Sequence, residues 1–226
     1  MSDFVATIRE RGGARTLATF GDSITFGMSA TTPERSWASL LASRLGCALI
    51  NKGIPGTVMQ NSPAMGGAPR SNNGWSRHKS DLLGADRADC IAVLYGFNDA
   101  RYIGAPETFN IEGFIRDYRD VVGNLVTAGF RPEMICLGSP PHIPDAGFTV
   151  GSEGFTGQTR ERFEAHVEAV EAIARQYGTF YAPVNERMGA EGGDALVCED
   201  MVHPNDTGHA KIAEIFAAAE RLADEF

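Results

Sequence analysis

Apolar positions along the chain fall into two kinds of pattern. Short continuous runs without polar alternation occupy 16–20, 48–51, 90–95 and 134–137, with a weaker fifth run at 179–183. They are rich in Ile, Val, Leu and Tyr. Such runs read as strands covered on both faces, as in a parallel sheet. Between them, apolar residues recur with the 3.6-residue period of one-sided helices. Segment 36–45 carries Trp37, Leu40, Leu41 and Leu45. Segment 111–128 carries Phe114, Tyr118, Val121, Val122 and Leu125. Segment 160–177 carries Phe163, Val167, Val170, Ile173 and Ala174, and segment 206–223 carries Ile212, Ile215, Phe216 and Leu222. Strands alternating with helices predict an α/β layered domain with right-handed crossovers. With no internal repeat and no low-complexity linker, residues 1–226 are expected to form one domain. Two stretches, about 54–74 and 138–157, lack either period and are rich in Gly, Pro and Ser. Long aperiodic loops in a compact domain are often lids or binding loops, and these two are expected over the active-site edge.

Composition narrows the class. The chain is 43% hydrophobic and 22% charged, which is ordinary for a globular protein. Its net charge is −9 and no Lys/Arg stripe occurs, so nucleic acid is not expected as a partner. Homo-oligomerisation is compatible with the sequence. The N-terminal MSDFVATIRERGG lacks the apolar core of a signal peptide, and no run is long enough to span a membrane. The expectation is a cytoplasmic protein without membrane contact. Cys47, Cys90, Cys136 and Cys198 form no C-x-x-C pair. Cys90 and Cys136 sit inside apolar runs and read as buried free thiols.

Candidate chemistry lies just after the strands, because open parallel sheets bind ligands outside the carboxyl ends of their strands. After the first run comes Gly21-Asp22-Ser23, and after the second Asn51-Lys52-Gly53. Gly96-Phe97-Asn98-Asp99 follows the third, and Asp200-Met201-Val202-His203-Pro204 precedes the last helix. Acyl transfer by a serine needs a hydroxyl, a base, a group that orients the base, and oxyanion donors. Ser23 offers the hydroxyl, His203 the imidazole, and Asp200 a carboxylate three residues away. The backbone N–H groups of Ser23 and Gly53 and the Asn98 amide are the candidate oxyanion donors. Asp22 and Asp99 are expected to hydrogen-bond within their own turns, and Asp206 to cap the last helix. His209 and His166 read as structural. His78 and His142 sit near the long loops, where substrate contact is conceivable. Phe97, Tyr102, Phe148, Phe155 and Trp75 are candidates for an apolar or sugar-stacking pocket.

Taken together, the four blocks resemble the SGNH hydrolase superfamily, the GDSL esterases and lipases. The nucleophile block is Gly21-Asp22-Ser23, the glycine block Asn51-Lys52-Gly53-Ile54-Pro55-Gly56, the third Gly96-Phe97-Asn98-Asp99, and the last Asp200-Met201-Val202-His203. The resemblance runs from about residue 16 to the last helix. It implies a three-layer α/β/α sandwich with a five-stranded parallel sheet of flavodoxin-like topology. It also implies serine esterase, lipase or thioesterase chemistry without metal or cofactor, on a small-molecule ester. The segment between the second and third blocks is longer than in a minimal member and carries Met59, Met65, Arg70 and Trp75, which bears on substrate preference. Short-chain acyl or acetyl esters are the expected substrates. The alternatives are transfer of the same acyl group to an alcohol, thioester cleavage, and a non-catalytic carbohydrate-binding domain. A G-x-S-x-G elbow, H-E-x-x-H, a P-loop and G-x-G-x-x-G are all absent. Asp22, Asp99, Asp200 and His203 could in principle hold a divalent ion for phosphoester hydrolysis, a weaker reading.

Overall fold

A computed structural model describes residues 2–61, 71–85, 87–101, 110–149 and 159–222. Five parallel strands, β1 (Thr16–Gly21), β2 (Ala48–Gly53), β3 (Cys90–Leu94), β4 (Ile135–Gly138) and β5 (Phe180–Ala182), lie in the order β2-β1-β3-β4-β5. This is the flavodoxin-like order, with its switch point between β1 and β3. A sixth strand, β6 (Glu220–Arg221), pairs antiparallel with β5 and was not expected. The apolar period of the last helix does not continue to 223. That helix stops at Ala217 and the chain turns back to form β6.

Side chains alternate across the sheet, so each face has its own core. From β3, Cys90, Ala92 and Leu94 face one cluster, and Ile91 and Val93 face the other, together with the following Tyr95. The first cluster is closed by helices α1 (Phe4–Glu10), α3 (Trp37–Leu45), α8 (Val184–Ala190) and α9 (Asp206–Ala217). The second is closed by α4 (Gly74–Leu82), α6 (Ile111–Thr127) and most of α7 (Arg160–Tyr177). Two single-turn helices, α2 (Ser23–Phe26) and α5 (Phe97–Arg101), start just past β1 and β3. Burial on both faces explains the continuous apolar runs of the inner strands. β2 is the edge strand and is only partly buried, against the expectation of cover on both sides.

The helices start and stop where their caps dictate. Ser36, Asn110, Thr159 and Asn205 each accept a hydrogen bond from a backbone N–H three residues on. Asn205, not Asp206, is therefore the cap of α9. All four cysteines are free. Among the described residues, no helix is long and apolar enough to cross a membrane.

Candidate active site

The register of the sheet sets the site. Gly21 at the end of β1 pairs with Gly53 on one side and Leu94 on the other, so the three strand ends share one edge. Gly21 is demanded by packing, since a Cβ there would lie 2.1 Å from Thr25 Oγ1 and 2.4 Å from the Leu94 carbonyl. Asp22 follows as the N-cap of α2, its Oδ1 accepting from Ile24 N–H at 2.9 Å. Ser23 is thereby fixed as the first residue of that helical turn.

The other half of the site arrives from far along the chain. Asp206 accepts from Thr31 N–H (2.8 Å), Thr31 Oγ1 (2.7 Å) and Arg35 Nη1 (2.9 Å). His209 Nδ1 accepts from Trp37 N–H at 3.3 Å, and its Nε2–H donates to the Met28 carbonyl at 3.0 Å. These partners make His209 a neutral ring, and burial lowers its pKa. Trp37 stacks on Phe216 with ring centroids 4.6 Å apart. The start of α9 is thus fastened to the segment that follows α2. His203, just before α9, is carried to Ser23 across 180 residues of sequence.

There His203 Nε2 lies 2.9 Å from Ser23 Oγ, and His203 Nδ1 lies 2.6 Å from Asp200 Oδ2. Asp200 Oδ1 accepts from both Val202 N–H and His203 N–H at 2.9 Å. That wrap is possible because Met201 adopts a left-handed φ of 58°, a conformation that costs a non-glycine residue about 1 kcal/mol. Partial burial raises the pKa of Asp200. The bonds from the His203 backbone, the His203 ring and the Val202 backbone outweigh it, and the carboxyl ends below its usual range. A short bridge between Val197 and Pro204 and a Cys198 N–H bond to the His203 carbonyl (2.8 Å) hold the loop shut.

The chain also matches the model of the GDSL-like lipase/acylhydrolase family over residues 19–211. It is a member of that family. Membership of this lipase/acylhydrolase family makes it a hydrolase acting on ester bonds. Among solved structures it is similar to a lipase/acylhydrolase from Enterococcus faecalis, with a TM-score of 0.67 and 18% identity over 93% of this chain and 100% of that one. A G-D-S-L family lipolytic protein from Desulfitobacterium hafniense gives 0.65 and 18%, over 90% and 98% of the two chains. An acetylxylan esterase from Geobacillus stearothermophilus gives 0.64 and 20%, over 90% and 93%. At these identities the likeness is one of fold. No curated protein matches the chain in sequence.

In this GDSL-family chain, Asn98 is buried in α5, and its Nδ2 donates to the Thr57 carbonyl at 2.9 Å. Gly53 differs from expectation. Its N–H donates to Asn51 Oδ1 at 2.8 Å, and a Cβ on it would lie 2.1 Å from Phe26 N. Glycine is required there because α2 rests on β2. Asn51 completes the junction, donating to the Thr25 carbonyl at 2.9 Å. Gly56, three residues on, has φ +75° and open space where its Cβ would be.

Asp99 does not stay within its own turn. Its oxygens accept from Met59 N–H and Gln60 N–H, both at 2.9 Å, while Asp117 accepts from Asn61 N–H at 2.7 Å. The described start of the first long loop is therefore pinned by two carboxylates. Burial pushes the Asp22 carboxyl up to about 7 and the Asp99 carboxyl up to about 6, their N–H partners notwithstanding. Both point into the protein, and among the described residues no group of three or more His, Cys, Asp or Glu is placed to hold a metal ion.

The remaining candidates are accounted for by packing. His166 is buried against Phe114 and its pKa falls to about 4. His78 is buried between the Trp75 carbonyl and the Asn124 amide, and His142 pairs with Asp194 at 2.8 Å. Trp75 packs in the second core and donates to Asp120. Phe97 and Phe148 pack on Phe163. Tyr102, Phe155, Met65 and Arg70 lie outside the described residues. The sequence reading missed Arg77, buried in α4 beneath the end of β1. It also missed Phe26 and Met28, exposed at 56% and 37% just after Ser23. An arginine followed by His-Lys-Ser in a polar segment carries no signal of burial, but two large apolar residues after a G-D-S block could have been noted.

Proposed function

We propose that the chain is a serine carboxylic-ester hydrolase in which Ser23, His203 and Asp200 act as a triad. The observation that carries this is the continuous hydrogen-bonded line from Ser23 Oγ through the His203 ring to Asp200. His203 Nδ1–H is held by the carboxylate, so Nε2 presents a lone pair to the serine hydroxyl and can take its proton as Oγ attacks an ester carbonyl. Asp200 stabilises the imidazolium, which then protonates the departing alcohol. Water, activated by the same ring, cleaves the acyl-serine.

For the oxyanion we assign the Ser23 N–H at the start of α2 and the second Nδ2 hydrogen of Asn98. A third donor comes from the turn after β2. The sequence points to Gly53, whose N–H donates to Asn51; from the same turn we assign Gly56. It precedes Thr57, whose carbonyl Asn98 holds, so it belongs to the same corner of the site. The ester presents a small acyl group to this corner. Phe26, three residues after Ser23 on one helical turn, offers an apolar surface to one side of it. The fold shared with an acetylxylan esterase is in keeping with an acetyl or short acyl ester as substrate.

Steady-state hydrolysis of p-nitrophenyl acetate tests the assignment. Ser23→Ala is expected to lower kcat by about 10⁴-fold or more. Asn98→Ala should lower it by about 10²–10³-fold. Near-normal turnover by the Ser23 variant would end the proposal.

A further inference from the structure

Arg77 is only 7% exposed. Burying a guanidinium costs several kcal/mol, and replacing a whole buried ion pair by well-packed apolar residues is often neutral or stabilising. The site is not arranged for stability alone, since Nε has no partner among the described residues. What the side chain does hold is specific. One Nη donates to Asp81, while Nη2 donates to the Gly21 carbonyl at 2.9 Å and to Tyr95 Oη at 2.6 Å. The guanidinium lies over the Phe20 ring, 4.2 Å from its centroid.

The direction of each proton can be followed from there. Tyr95 Oη accepts from Arg77 and lies 2.9 Å from Thr57 Oγ1. Thr57 Oγ1 gives its own proton to the Ile54 carbonyl at 2.7 Å, so the tyrosine is the donor to the threonine. Burial holds that phenol in its protonated form. Ile54 N–H in turn donates to the Gly21 carbonyl at 3.0 Å, the carbonyl that Arg77 also holds. The ring closes on itself. It joins the end of β1, two residues before Ser23, to the 54–57 turn. Its Thr57 carbonyl takes one hydrogen of the Asn98 amide. With that hydrogen fixed, the plane of the amide is fixed, and so is the direction of its second hydrogen.

We propose that Arg77 is a positioning residue for the ester hydrolysis, acting through Tyr95 and Thr57 to set the Asn98 amide relative to Ser23. The proposal rests on Asn98 being an oxyanion donor. Its contribution cannot exceed that of Asn98, so a loss of about 10- to 100-fold is expected, below the range for deleting an oxyanion donor.

The test is a double-mutant cycle with p-nitrophenyl acetate, with thermal melts of every variant. Arg77→Met should lower kcat by about 10-fold or more and leave KM within about twofold; because it strips Asp81 of its partner, it should also lower the Tm. Tyr95→Phe, which keeps the ring and removes one hydroxyl, should show a smaller loss of the same kind and serves if the Arg77 variant does not fold. In an Asn98→Ala background both losses should shrink to under about threefold. Equal losses in both backgrounds, in protein that the melts show to be folded at the assay temperature, would overturn the positioning role. An Asn98→Ala variant as active as the parent would instead remove the oxyanion reading, and this proposal with it.

Discussion

Replacing Asp22 with Asn probes the most unusual group in the site. The Asp22 carboxyl is 1% exposed. Desolvation is the main reason its pKa rises from 3.8 to about 7. The nearby Asp99 adds to the rise, while the Ile24 N–H and Arg101 oppose it. The folded protein therefore keeps the Asp22 proton to about pH 7, whereas the unfolded chain releases it near 3.8. Between those values folding takes up a proton, so this group makes the protein less stable as pH rises across the window, and the effect levels off above it. The gap is worth up to roughly 4 kcal/mol. Asparagine keeps the size and the oxygen that accepts from Ile24 N–H but cannot ionise. Urea melts of parent and Asp22→Asn proteins at about pH 5 and about pH 8 supply the assay. The variant should gain relative to the parent by an amount on the order of 2–4 kcal/mol between the two pH values. A difference that stays constant with pH, or one that moves the other way, would refute a protonated buried Asp22.

Three further outcomes follow from the same geometry. Gly53→Ala places a Cβ 2.1 Å from Phe26 N, so α2 must move; stability should fall by about 2 kcal/mol or more and kcat should fall with it, read by urea melts and ester hydrolysis. Phe26→Ser should raise KM for aryl and longer acyl esters by about 3- to 10-fold, since losing a buried apolar contact of this size costs on the order of 1 kcal/mol, while kcat for acetyl esters stays close to the parent value. Hydrolysis in excess EDTA should match the untreated rate; a loss restored by a divalent cation would replace the triad reading with a metal-assisted one.

Much of this architecture was legible in the amino-acid sequence, because buried parallel strands and one-sided helices leave strong periodic signals. The convergence of Ser23 with Asp200 and His203 was legible too, since a parallel sheet gathers the residues beyond its strand ends along one edge. The features that escaped are set by long-range contacts that leave no local trace. Helix α4 buries Gly74, Arg77, His78 and Leu82, so its inner face reads as polar. Strand β6 is two charged residues. Asp99 reaches Met59 and Gln60 some 40 positions away, which no turn rule anticipates. Gly53 looked like a substrate-facing glycine, and its lack of a side chain also answers the backbone of α2. Asp206 looked like a helix cap because acidic residues favour that place, yet Asn205 holds it and Asp206 fastens α9 to Thr31 and Arg35.

The central claim is that Ser23 is a nucleophile activated by His203. Reaction with a fluorophosphonate, with intact mass and peptide mapping of the product, tests it most directly. The account predicts one adduct per chain, located on Ser23, formed at least about 10²-fold more slowly in His203→Ala and absent from Ser23→Ala. An adduct on another residue, or a Ser23 adduct that forms as fast without His203, would contradict it.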